Sequence, residues 1–146
     1  MNRTAIIRPF AAVAALGLVG QALAQPAPER IPIDQVRTIG GVDFACTGIG
    51  QEKADPRWNA FPVRVEFSDQ QAALIADETL AVLDRGGAAL ASVACEGPWI
   101  LLRPAAPGPY TVKGWSPGSG AGPQTAHFTI PGHGQTRIEM RFPAAH

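Results

Sequence analysis

Charge of either sign is scarce in this sequence, and neither sign prevails. Lysine and arginine number 12, aspartate and glutamate also 12, and together they make up only 16% of the chain. That balance leaves no electrostatic footprint for nucleic acid or for an anionic membrane surface. Cysteine is nearly absent: Cys46 and Cys95 lack Cys-x-x-Cys spacing, which argues against a redox or zinc thiol pair. Histidine is limited to His127, His133 and His146. His127 and His133 bracket one turn, but no carboxylate or thiol stands at a supporting spacing, so no metal ligand set and no cofactor are expected. Ser92, Ser116 and Ser119 lie outside any Gly-x-Ser-x-Gly elbow, so no catalytic residue and no enzymatic activity are expected. Asp77-Glu78 and Asp84 do not compose a calcium loop, and Gly48-Ile49-Gly50 is too short for a dinucleotide fingerprint. Long amphipathic helices and internal repeats are missing too.

Glycine (16) and proline (14) are abundant, and apolar residues at 46% suffice for a core, a composition that suits a turn-rich β domain. The longest apolar run opens the chain. Arg3 and Arg8 precede Phe10 to Val19, a run too short to span a bilayer, and Ala22-Leu23-Ala24 supplies small residues for cleavage. Residues 1–24 are therefore expected to be a signal peptide, cut after Ala24, with no transmembrane segment once it is removed. No cysteine stands at the cut, which argues against a lipoprotein. The expected location is periplasmic or secreted. In such an oxidising compartment Cys46 and Cys95 are expected to form one disulfide.

Residues 25–40 begin with a Pro-rich segment, Gln25 to Pro32, read as a mobile arm, with Val36 to Ile39 as a short edge segment. The domain proper is expected over 41–142. Strict alternation marks half-buried strands: Val42, Phe44 and Cys46 share one face, and so do Val63, Val65 and Phe67. Ala91, Val93 and Cys95 aim the second cysteine inward, following a hairpin signal at Arg85-Gly86-Gly87. Ala126, Phe128 and Ile130, then Ile138, Met140 and Phe142, repeat the pattern. Residues 68–78 carry helix-capping residues at Ser68 and Asp69 but are short, and a loop is expected there rather than a helix or strand. Short strands at this spacing imply a small all-β, antiparallel β-sandwich of about seven strands.

The chain is organised around Glu96 to Arg103, the corner Pro104 to Pro109, and Tyr110-Thr111-Val112. Trp99-Ile100-Leu101-Leu102 has no polar face, so Trp99 is expected between the two sheets, with the Tyr110 hydroxyl fixing the corner. Three stretches carry a family resemblance: Phe44 to Glu52, Cys95 to Leu102, and Pro107-Gly108-Pro109-Tyr110-Thr111-Val112. They resemble the bacterial secreted carboxypeptidase regulatory-like proteins over residues 41 to 142. That resemblance implies a transthyretin-like (prealbumin-like) sandwich and a non-catalytic role.

The leading functional expectation is a module that binds a protein or cell-envelope component, or serves as a structural accessory. The alternative is a small-molecule or metal-binding protein using the Trp115–Gly122 loop or the His133 turn. Trp58, Trp115 and His133 form the candidate binding surface, because aromatics on loops at one end of a sandwich supply large contact area, with packing under the long loops as the competing reading for both tryptophans.

Overall fold

Among the described residues, alternating apolar and polar side chains set ten strands into two five-stranded sheets. The computed structural model describes residues 27–144, so the expected leader and its cleavage site lie outside the described residues. The strands are β1 (Glu29–Ile31), β2 (Val36–Ile39), β3 (Val42–Thr47), β4 (Val63–Asp69) and β5 (Glu78–Leu83), followed by β6 (Ala89–Cys95), β7 (Trp99–Pro104), β8 (Pro109–Trp115), β9 (Gln124–Thr129) and β10 (Thr136–Phe142). One sheet runs β1-β6-β5-β8-β9, the other β10-β4-β7-β3-β2.

The expected sandwich is present, with more strands than the seven expected and with two parallel pairings, β1 with β6 and β10 with β4. Gln25 to Pro32, read as a mobile arm, instead supplies β1 to one sheet, while Val36–Ile39 is the expected edge segment, in the other. Ile31 sits opposite Cys95 and is fully buried, while β2 pairs with β3 at the far edge of the second sheet. A stretch of only three residues gives alternation too little length to show, and its prolines hide it. The sandwich therefore begins near residue 29 rather than 41.

Phe44, Val65, Phe67, Leu80, Val82, Val93, Ile100, Leu102, Val112, Met140 and Phe142 fill the space between the sheets. Cys46 on β3 and Cys95 on β6 join the two layers through a disulfide with a Cα–Cα distance of 5.6 Å. At Gly114 a side chain would meet the Met140 sulfur at 2.3 Å and the Phe67 ring at 2.9 Å, so the missing Cβ lets the layers close. Tyr110 is buried, stacks on Phe128 and donates its hydroxyl to the Ala106 carbonyl at 2.5 Å, as expected for the corner.

The 70–77 segment is a loop. Asp69 does act as a cap, but its carboxylate accepts from the backbone of Gln71 and Ala73, both at 2.9 Å, closing a turn instead of opening a helix. Ala72 (φ 67°) and Asp77 (φ 64°) hold left-handed backbone within this loop, a geometry uncommon for residues other than glycine.

Trp99 is not between the sheets. In an antiparallel pair, directly opposed residues share a face. Ile100 lies opposite the inward Cys46, so Trp99, opposite Thr47 and Glu66, must point outward. The run is apolar on both faces because the outer face is covered as well. Leu101 packs under Trp58 and Phe61, and the Arg64 guanidinium lies 4.4 Å over the Trp99 ring. Glu66, also on this face and buried, is ion-paired with Arg64 at 2.9 Å and accepts from Arg137 at 2.6 Å. Trp99 is only half-buried, and its Nε1 is enclosed without a hydrogen-bond partner. Trp99→Ala should therefore cost only about 1–2 kcal/mol in a denaturant melt, since lost ring packing is offset by removing an unpaired donor. A loss of about 3 kcal/mol or more, the scale of a ring deleted from a sealed core, would contradict this placement.

Candidate functional site

Trp58, Trp115 and His133 do not converge. Trp58 is 4% exposed and belongs to a small second core. Two 3-10 turns, Gln51–Ala54 and Pro56–Ala60, lay it on the outer face of β3 and β7. Its ring tilts against Phe61, its Nε1 donates to the Glu52 carbonyl at 2.7 Å, and Gln135 donates to the Trp58 and Phe61 carbonyls. The indole N–H and the carbonyl of Trp58 are both bonded internally and its ring is buried, so Trp58 is a packing residue and not a binding surface. His133 is exposed in the turn between β9 and β10. Trp115 ends β8, half-buried on the outer face of its sheet opposite Thr79. The register of β8 and β9, which pairs Gly114 with Gln124 and Pro109 with Thr129, puts the His133 turn at the opposite end of the sandwich from Trp115. His127 is exposed on β9, its Nδ1 2.9 Å from the Thr111 hydroxyl, and His146 lies outside the described residues. Among the described residues, no group of three or more His, Cys, Asp or Glu is placed to hold a metal ion.

The least conventional residue in the fold is Glu78. It opens β5 in phase with Leu80 and Val82, which puts its side chain on the inward face. It is 1% exposed. The strand partner directly opposite is Cys95, so the disulfide pins the floor on one side. On the other side β8 ends at Trp115, and Ser116 turns inward as the chain enters a short turn at Pro117–Ser119. The Ser116 carbonyl accepts from the Ser119 backbone at 3.0 Å and from the Ser119 hydroxyl at 2.7 Å, which fixes the turn. The Ser116 hydroxyl donates to Glu78 Oε1 at 3.1 Å. Glu78 Oε2 is buried and has no hydrogen-bond partner.

These groups line a cavity of about 440 Å³ at the disulfide end of the sandwich. Asp77, Glu78 and Ser116 supply its polar wall, and Ile75, Ala76, Pro117 and Pro143 its apolar rim. A second cavity, of about 280 Å³, shares Asp77 and Pro117 and reaches Arg30, which is ion-paired with Glu96. At the other end, Asp84, Arg85 and the corner Pro107 to Tyr110 line a hollow of about 320 Å³ in which no buried polar atom lacks a partner. Burial pushes the Glu78 carboxyl up to about 7 from an ordinary 4.5. The Ser116 hydrogen bond opposes that rise, and the neighbouring Asp77 charge adds to it. At neutral pH the acid is about half protonated, able to donate from its neutral form and to accept from its charged form.

Glu78 was missed as a site residue by sequence reasoning, which weighed Asp77-Glu78 only as a calcium pair. The signal was its phase: a carboxylate two and four residues before inward Leu80 and Val82. Ser116 carried no such signal, because it falls where alternation ends. The Trp115–Gly122 loop does reach the site, through Ser116, Pro117 and Gly118. No protein-family model matches the chain, and no curated protein does.

Proposed function

We propose that this chain is an exported, non-catalytic β-sandwich module that works by binding a protein or cell-envelope component, with the Glu78 cavity as its binding end. Kinship with the carboxypeptidase regulatory-like sandwiches, on the residues quoted above, is part of the same proposal. The observation that carries it is Glu78 itself. A folding core favours an apolar residue at such a position, because a buried acid with an unused oxygen is costly. A partly satisfied acid in a cavity of binding-site size is instead what a ligand completes. The disulfide is compatible with export, since such bonds persist in oxidising compartments. No helix among the described residues is long and apolar enough to cross a membrane.

Small-molecule binding is the second reading, favoured by the part that Ser116, Pro117 and Gly118 of the Trp115–Gly122 loop take in lining the cavity. The two are separated by co-sedimentation of the purified protein with bacterial envelope fragments, comparing wild type with Gly118→Trp, which crowds the mouth of the cavity. Saturable binding that weakens roughly tenfold in the variant, a loss of ~1.4 kcal/mol, is expected. Equal binding by both proteins would put the contact surface elsewhere and overturn the assignment.

A further inference from the structure

The Glu78 cavity also specifies the chemistry of what it binds. Its two ionisable side chains, Glu78 and Asp77, are both acids, and no basic side chain lines it. Arg30 belongs to the adjoining cavity and is engaged by Glu96. Glu78 Oε2 lacks a donor, and the Ser116 hydroxyl, which gives its proton to Oε1, keeps lone pairs that can accept. The missing partner is therefore a donor, and a positively charged one is favoured by both carboxylates. Around this polar wall, Ile75, Ala76, Pro117 and Pro143 form an apolar collar suited to methylene groups.

We propose that the cavity receives a primary ammonium group on an aliphatic stem, with Glu78 and Asp77 as counter-charges and Ser116 as an additional acceptor. The inference rests on the reading of this cavity as the binding end and names the chemical class of its ligand. The same group can come from a lysine side chain of a partner protein or from a free alkyl diamine. A guanidinium is disfavoured, because its planar fork needs paired in-plane acceptors and Glu78 has one oxygen free.

Ammonium binding requires the charged form of Glu78. Where the acid is protonated, each ligand bound releases that proton to solvent while the amine, ordinarily titrating near 10.4, keeps its own. The groups facing Glu78 at this end are Asp77 on its own lead-in, the Ser116 hydroxyl from β8 and the Cys95 disulfide from β6, with Arg30 of β1 beyond, neutralised by Glu96.

The test uses amide shifts of Asp77, Ser116 and Gly118 in NMR spectra of the folded protein. The probes are butane-1,4-diamine, Nα-acetyl-lysine N-methylamide and, as the neutral control, butan-1-ol. Both amines are expected to shift these amides saturably, with affinity rising roughly tenfold from pH 5 to pH 6 and less than about twofold from pH 7 to pH 8. Glu78→Gln should abolish the pH dependence and weaken both amines. Preference for the lysine derivative over the diamine identifies a protein side chain as the source, and the reverse identifies a free amine. Butan-1-ol binding as well as the amines overturns the ammonium assignment and leaves the cavity as the binding end. Shifts from none of the three probes overturn the assignment, and if envelope binding is also insensitive to Gly118→Trp, the reading beneath it falls too.

Discussion

Replacing both cysteines, Cys46→Ala with Cys95→Ala, is expected to lower stability by about 4 kcal/mol, from the loop entropy of a crosslink spanning 49 residues. That is a large share of the roughly 5–15 kcal/mol that holds a domain of this kind. The position makes the effect more than a loop-closure term. The bond joins β3 of one sheet to β6 of the other, and both cysteines are buried. Glu78 stands opposite Cys95, so the double mutant should also loosen the cavity. The check is urea unfolding of oxidised wild type against the double mutant. A difference under about 1 kcal/mol, the level of an ordinary surface substitution, would mean that the bond is incidental to the fold.

Glu78→Gln is expected to stabilise the protein above neutrality by about 3 kcal/mol, following the rise of the acid from 4.5 to about 7. Below pH 4.5 the acid is neutral in the folded and the unfolded chain, and it imposes no penalty. Between 4.5 and 7 the unfolded chain releases its proton while the folded chain keeps it, so wild-type stability falls as pH rises through that window. Above 7 both forms are charged, and the full cost of a buried carboxylate persists. Glutamine keeps the shape and removes the charge. The variant's stability should therefore be flat across the same window, and the two profiles should meet near pH 4. A wild-type profile that rises from pH 5 to pH 8, or a variant less stable than wild type at pH 8, would contradict a buried acid here. A binding site commonly trades stability in this way for a group poised to meet its ligand.

The alternating strands were legible because each buries one face: Val42-Phe44-Cys46, Val63-Val65-Phe67 and Ile138-Met140-Phe142 declare their phase directly. The same alternation aims both cysteines inward. Trp99 was misplaced for a related reason. Four apolar residues in a row carry no phase of their own, and only pairing with β3 assigns Ile100 and Leu102 to the core and Trp99 to the outside. For Trp58 the sequence leaves loop exposure and packing under a long loop both open, and the fold of the 51–60 segment back onto Ala45 and Leu101 decides for packing. Short strands such as β1 draw their stability from the sheet they join, not from their own residues, and so leave little trace in sequence. The cavity combines the start of β5, the end of β8 and Pro143, parts far apart along the chain, and only Glu78 bore a readable sign.

The most direct measurement is a carbon-detected NMR titration of the Glu78 side-chain carboxyl in the folded wild-type protein. A midpoint near 7 is predicted, shifted downward when butane-1,4-diamine is present. A midpoint near 4.5, unmoved by the amine, would mean that Glu78 is a solvated surface acid and that this end of the sandwich holds no such site.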